Sequence, residues 1–245
     1  MTRFVFTAAG MGVAALALAA CTPPHPHRHV EAALKTIATL DCPATQGDLT
    51  RQSAATDGKS CLYGDDQGGQ VTLQLIDLAG QDPSAALAPL EAQLKAEMPA
   101  VAGAKATAGP TDKDRVDIDL PGIHIHANGN DDATVRIAGA TVNGKSTVIS
   151  DQNGNSRVTV AKPGVSVVAH DNGAEIRVDE PGSGVRRSFI LASDDPGPNG
   201  YKAVGYEARG PAGGPLVVAS MKVKSDDRDS AKDDMRDLLR LNVGG

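Results

Sequence analysis

The chain has 245 residues, 40% of them apolar, with 27 glycines, 15 prolines and a net charge of −6. That length suits one or two domains with a real core. The acidic balance, without a basic stripe, argues against DNA or RNA as a partner; three Phe, three Tyr and no Trp leave the core to Val, Ile, Leu and Ala, which suits β-strands.

At the start, Arg3 precedes an uncharged stretch from Val5 to Ala20 built of Ala, Val, Leu, Gly and Met, with Phe6 and Thr7 near its beginning. It falls short of the roughly 20 apolar residues of a comfortable membrane span. Its small terminal residues suit an export signal with a processing site. The ending, Leu18-Ala19-Ala20-Cys21, resembles the lipobox of bacterial lipoproteins. The resemblance covers the leader alone. It implies that 1–20 is a signal peptide, that cleavage falls before Cys21, and that lipid on Cys21 holds the chain to a membrane. Thr22 follows, where Asp would imply inner-membrane retention; outer-membrane sorting, facing the periplasm, is the expectation. The alternative is an ordinary secretory signal with an incidental cysteine.

With Cys21 assigned to lipid, Cys42 and Cys61 remain. Disulfides persist in exported proteins, and two leftover cysteines make one pair. Two free buried thiols are the alternative.

Residues 21–28 read as a tether, because the prolines in Thr-Pro-Pro-His-Pro-His-Arg resist helix and favour extension. A small α+β unit is expected over 29–99. Val30, Leu34, Ile37 and Leu40 recur at helical spacing and predict a short helix before Cys42. Asp57-Gly58 is a hairpin signal. Ser60 to Tyr63 and Val71 to Leu78 read as strands, the second with clear alternation. Asp82 is the expected N-cap of a helix with Pro83 in its first turn, and Leu87, Leu90, Leu94 and Met98 on one face. Pro89 predicts a bend or a later start, and Pro99 the end.

Residues 100–114 read as a linker to a β-rich domain over 115–245. Its expected strands are Val116 to Leu120, Gly122 to Ala127, Thr134 to Ile137, Thr147 to Ser150, Arg157 to Val160, Val165 to Ala169 and Glu175 to Val178. Five Asn-Gly pairs, at 128, 143, 153, 172 and 199, favour type I′ turns. Ala133-Thr-Val-Arg-Ile and Ala174-Glu-Ile-Arg-Val hint at a repeat. A hairpin joins Lys202 to Ala208 with Leu216 to Val223. Ser225 should cap a final amphipathic helix with Ala231, Met235, Leu238, Leu239 and Asn242 on one face. Asp229/Lys232, Asp233/Arg236 and Asp237/Arg240 are its i,i+3 pairs.

Several motifs invite chemistry. Gly139 to Ser146 satisfies the P-loop pattern, but the β-branched run Thr147-Val148-Ile149 follows where a helix must start, and Asn143-Gly144 reads better as a hairpin turn. Asp151, Asn153 and Asn155 begin like an EF-hand, yet Ser156 replaces the glycine and Lys162 the closing glutamate. The histidines remain. His124 and His126 flank Ile125 on a predicted strand and share a face. That spacing can hold zinc or copper if a third ligand arrives, His170 being the candidate. His25, His27 and His29 can add weak metal affinity. Ordinary surface histidines are the alternative.

The expected fold is α+β and mainly antiparallel β: a small disulfide-pinned N-terminal α+β unit, a larger β-rich unit (sandwich, meander or solenoid-like), and a C-terminal amphipathic helix. The expected function is that of a lipid-anchored, non-enzymatic scaffold or interaction module with an envelope protein as partner and no cofactor. A periplasmic metal or small-ligand binder is the alternative.

Overall fold

Alternation of apolar and polar residues over most of the chain produces strands, and the computed structural model assembles them into an antiparallel sheet. It describes residues 33–102, 116–120, 123–128, 132–137, 140–150, 156–162, 164–170, 173–180, 182–224 and 229–244. The first strands are β1 (Thr45–Gln46), β2 (Leu49–Ala54), β3 (Ser60–Gly64) and β4 (Gln70–Ile76). Helices α1 (Pro83–Glu97) and α2 (Pro99–Ala102) follow. Next come β5 (Val116–Leu120), β6 (Ile123–Asn128), β7 (Asp132–Ile137), β8 (Ala140–Ser150), β9 (Ser156–Lys162), β10 (Val165–His170) and β11 (Gly173–Asp179). Strands β12 (Gly184–Ser193), β13 (Ala203–Pro211), β14 (Leu216–Val223) and helix α3 (Asp229–Val243) complete the described elements.

The strand order is β1-β2-β3-β4-β14-β13-β12-β11-β10-β9-β8-β7-β6-β5. It is a meander interrupted once. After β4 the chain passes through α1 and α2 and re-enters the sheet at its far end with β5. It then zigzags back until β14 meets β4, with Leu216 opposite Ile76 and Lys222 opposite Gln70. The strands expected in separate units on either side of 100–114 therefore share one sheet, and Glu31–Gly245 cluster as one compact unit. The physical reason is that β4 carries Val71 and Leu73, each buried to 1% or less, and an unpaired edge beside them would leave backbone donors and acceptors without partners.

The central strands are covered on both faces. On one side α3 packs chiefly on β14. Ala231, Met235, Leu238, Leu239 and Val243 join Val217, Ala219, Met221 and Val223 in one buried apolar set. On the other side Leu87, Leu94 and Met98 meet Phe189, Leu191, Val204 and Tyr206. Strand β12 supplies both layers: Phe189 and Leu191 belong to the α1 side, Ile190 and Ala192 to the α3 side. A run with both faces buried loses alternation, which is why no strand was expected over this stretch.

Three local expectations change. Described residues 33–40 form no helix. Instead the Lys35 amide donates to the Val243 carbonyl at 3.0 Å and the Leu40 amide to the Gly58 carbonyl at 2.8 Å, while Leu34, Ile37 and Leu40 pack against the core. Those long-range bonds outweigh a weak helical preference. Asn143-Gly144 is not a turn, because β8 runs through it. Asn143 and Gly144 pair with Thr134 and Ala133 of β7, and from Lys145 the partner becomes β9. Pro89 does not delay the start of α1, which begins at Pro83 behind its expected N-cap Asp82, whose carboxylate accepts from the Ser84 amide at 2.7 Å. In α3, Asp237 and Arg240 pair at 2.7 Å, but Arg236 turns to the sheet and bonds Glu207. Ser225 lies outside the described residues. Among those residues no helix is long and apolar enough to cross a membrane.

Candidate functional site

Strands β5 and β6 come from Val-Asp-Ile-Asp-Leu and Ile-His-Ile-His-Ala-Asn, two perfect alternations. Ile125 is 2% exposed, whereas His124 is exposed and His126 half-buried. The two histidines therefore share the face opposite Ile125. Register places His126 between Asp117 of β5 and Thr134 of β7, and His124 between Asp119 and Arg136. Residues directly opposite in an antiparallel pair have Cβ atoms about 5 Å apart. Thr134 donates from Oγ1 to Asn143 Oδ1 at 3.1 Å, extending this polar ladder into β8.

His170 does not join them. It ends β10, opposite Gly173 and Arg157, and β9, β8 and β7 stand between β10 and β6. Four strand spacings of about 4.8 Å exceed any shared coordination sphere. The strand order thus does not bring His170 beside His124 and His126. No group of three or more His, Cys, Asp or Glu placed to hold a metal occurs among the described residues. Cys21, His25, His27 and His29 lie outside those residues.

Cys42 and Cys61 are disulfide-bonded, with Cα atoms 6.4 Å apart. The bridge ties the segment ahead of β1 to β3, where Cys61 is buried. Beside it Tyr63, also buried, donates its phenol to the Pro43 carbonyl at 3.1 Å. Burial pushes that phenol's pKa above its ordinary value.

Two further polar clusters join helices to the sheet. On the α1 side, Glu91 accepts from the Tyr206 hydroxyl and from Arg177 Nη1, both at 2.8 Å. Arg177 also reaches Glu175 at 2.9 Å and stacks 4.6 Å above the Phe189 ring. Burial first, and the Glu91 carboxylate second, drive the Tyr206 phenol far above its ordinary titration range. Glu97, farther along α1, accepts from Asn199 at 2.6 Å and pairs with Lys222 at 2.5 Å. The Asn199 amide and then Lys222 hold its carboxyl below the usual range. On the α3 side, Glu207 pairs with Arg209 at 2.5 Å and Arg236 at 3.2 Å. In each cluster, acids and bases saturate one another and fix a helix on its strand.

Sequence reading missed these clusters because their members are far apart in the chain. The one local trace was Glu175/Arg177 in the repeated segment. A shallow depression of about 610 Å³ lies between β2 and the β3–β4 turn, lined by Asp48, Gln52, Asp65 and Asp66 among others. There Asp65 folds onto its own turn, accepting from the Gln67 and Gly69 amides at 2.9 and 2.7 Å.

No protein-family model, curated protein or solved structure matches the chain.

Proposed function

We propose that this chain is a bacterial lipoprotein, anchored by lipid on Cys21 to the periplasmic face of the outer membrane and acting there as a scaffold or interaction module. The observation that carries the reading is Leu18-Ala19-Ala20-Cys21 behind Arg3 and an uncharged apolar stretch. The Cys42–Cys61 bridge is in keeping with an oxidising compartment. Two features support an interaction role. The half-buried acids Glu91 and Glu97 and the buried Glu207 are engaged in binding helices to strands. At one end of the sheet β5 has β6 as its single neighbour among the described elements, and an edge strand offers backbone groups to a partner chain.

In-cell crosslinking of the tagged chain, followed by purification and mass spectrometry, tests this. A Cys21→Ser variant serves as the unanchored control. The expected result is an envelope protein enriched with the anchored chain and lost with the variant. Identical partner sets from both forms, or none from either, would contradict the reading.

A further inference from the structure

We propose that residues 33–41 are a releasable strap clasped by Asn242 of α3, and that the Cys42–Cys61 bridge stops its release. A pull on the N-terminal side then lengthens the chain's reach without peeling the sheet. The source of such a pull in the cell rests on the lipid-anchor reading; the strap and its stop do not. The strap forms neither helix nor strand. Its Leu34, Ile37 and Leu40 are only half-buried against the core on the α3 side. The Lys35 amide donates to the Val243 carbonyl at 3.0 Å and the Leu40 amide to the Gly58 carbonyl at 2.8 Å. Asn242, 4% exposed, supplies the clasp. Its Oδ1 accepts from the Asp41 amide at 2.8 Å and its Nδ2 donates to the Asp41 carbonyl at 3.0 Å. Release regains backbone entropy at every strap residue and gives up only half-buried side chains. Segments held in this way open at lower free energy than a doubly covered core.

The bridge decides where the load goes next. Behind the strap come β1 and β2, the two outermost strands at their end of the sheet. Both are weakly held. Strand β1 has two residues. Strand β2 buries only Leu49, and its ladder with β3 is interrupted between Arg51 and Ser53. A pull passing along the backbone would strip them one pair at a time. It cannot, because Cys42, the first residue after the strap, is bonded to Cys61. Cys61 is buried in β3, opposite Ala54 of β2 and Leu73 of β4. Load therefore crosses covalently from residue 42 to residue 61. Strands β1 and β2 lie inside the closed loop and outside the load path. The pull meets β3, which has a strand on either side, instead of the edge of the sheet.

The test is optical trapping of the full chain carrying Cys21→Ser, which bears no lipid, so the outcome is separate from that of the anchor. One handle is joined to the N-terminus and the other to Asp194→Cys, in the exposed turn after β12. The expected first transition is a low-force lengthening of about 30 Å, the span of the strap at roughly 3.3–3.6 Å per residue. The sheet should then hold to a higher force. In Cys42→Ser/Cys61→Ser the low-force lengthening should more than double, because β1 and β2 peel after the strap. If that variant fails to fold, reductant added to the bridged chain repeats the comparison. Asn242→Ala should lower the force of the first transition and leave the second unchanged. Equal low-force lengthening with and without the bridge would overturn the stop. The strap would be overturned by the absence of a low-force transition, or by an Asn242→Ala chain whose first transition is unmoved or whose two transitions fall alike.

Discussion

Replacing Glu207 by Ala is expected to destabilise the fold by about 3–5 kcal/mol, the range for breaking a buried ion pair from one side. Glu207 sits on β13 and is 8% exposed. Its Oε1 faces Arg209 Nη2 at 2.5 Å and its Oε2 faces Arg236 Nε at 3.2 Å. Removing the carboxylate leaves two guanidiniums near each other in a poorly hydrated layer between α3 and the sheet. Most of the cost is their desolvation rather than the lost attraction. A triple substitution, Glu207→Leu with Arg209→Leu and Arg236→Met, should therefore recover much of the loss, because no charge is stranded. Urea unfolding monitored by circular dichroism reads both. The midpoint should move with the slope unchanged. A loss below about 1 kcal/mol for Glu207→Ala would show that both arginines remain hydrated.

Removing the Cys42–Cys61 bridge comes next in size. The cysteines are 19 residues apart, and a loop of that size restricts the unfolded chain by about 3 kcal/mol in the entropy picture. The bridge also holds the strand-free segment ahead of β1 in place. There Leu40 and Cys42 pack against the core and Tyr63 reaches the Pro43 carbonyl. A Cys42→Ser/Cys61→Ser variant should lose about 2–5 kcal/mol. Reductant should lower the melting temperature of the unmodified chain and leave the variant unmoved. Equal reductant sensitivity of both forms would place the effect elsewhere.

Period-two alternation made most strands legible. Val116–Leu120 appears with the bounds that its sequence predicts, and the hairpin of β13 and β14 falls where two apolar runs flank a Gly-Pro turn. Helix α1 was legible from its Asp82 cap, and both α1 and α3 from apolar residues three and four apart. What stayed hidden depends on distant partners. Strand β12 escapes notice because both of its faces are buried. Residues 33–40 carry helical spacing but bond to the end of α3 and to Gly58. Asn143-Gly144 carries a turn signature but lies where β8 exchanges β7 for β9.

The candidate site divides in the same way. His124 and His126 were legible because a strand's period is local. Nearby acids were expected without being named, and Asp117 and Asp119 come to lie opposite the histidines only once the β5–β6 register is fixed. His170 looked equally eligible until three intervening strands separated it from β6. The Tyr206–Glu91–Arg177 cluster draws on α1, β11 and β13, and Glu175/Arg177 is its local trace.

The proposed anchor is tested most directly by feeding cells an alkyne-bearing fatty acid and isolating the chain. Label should attach to a mature form that begins at Cys21, as read by mass spectrometry of the N-terminal peptide, and should vanish in Cys21→Ser. An unlabelled chain, or a mature N-terminus at another residue, would contradict the lipid anchor.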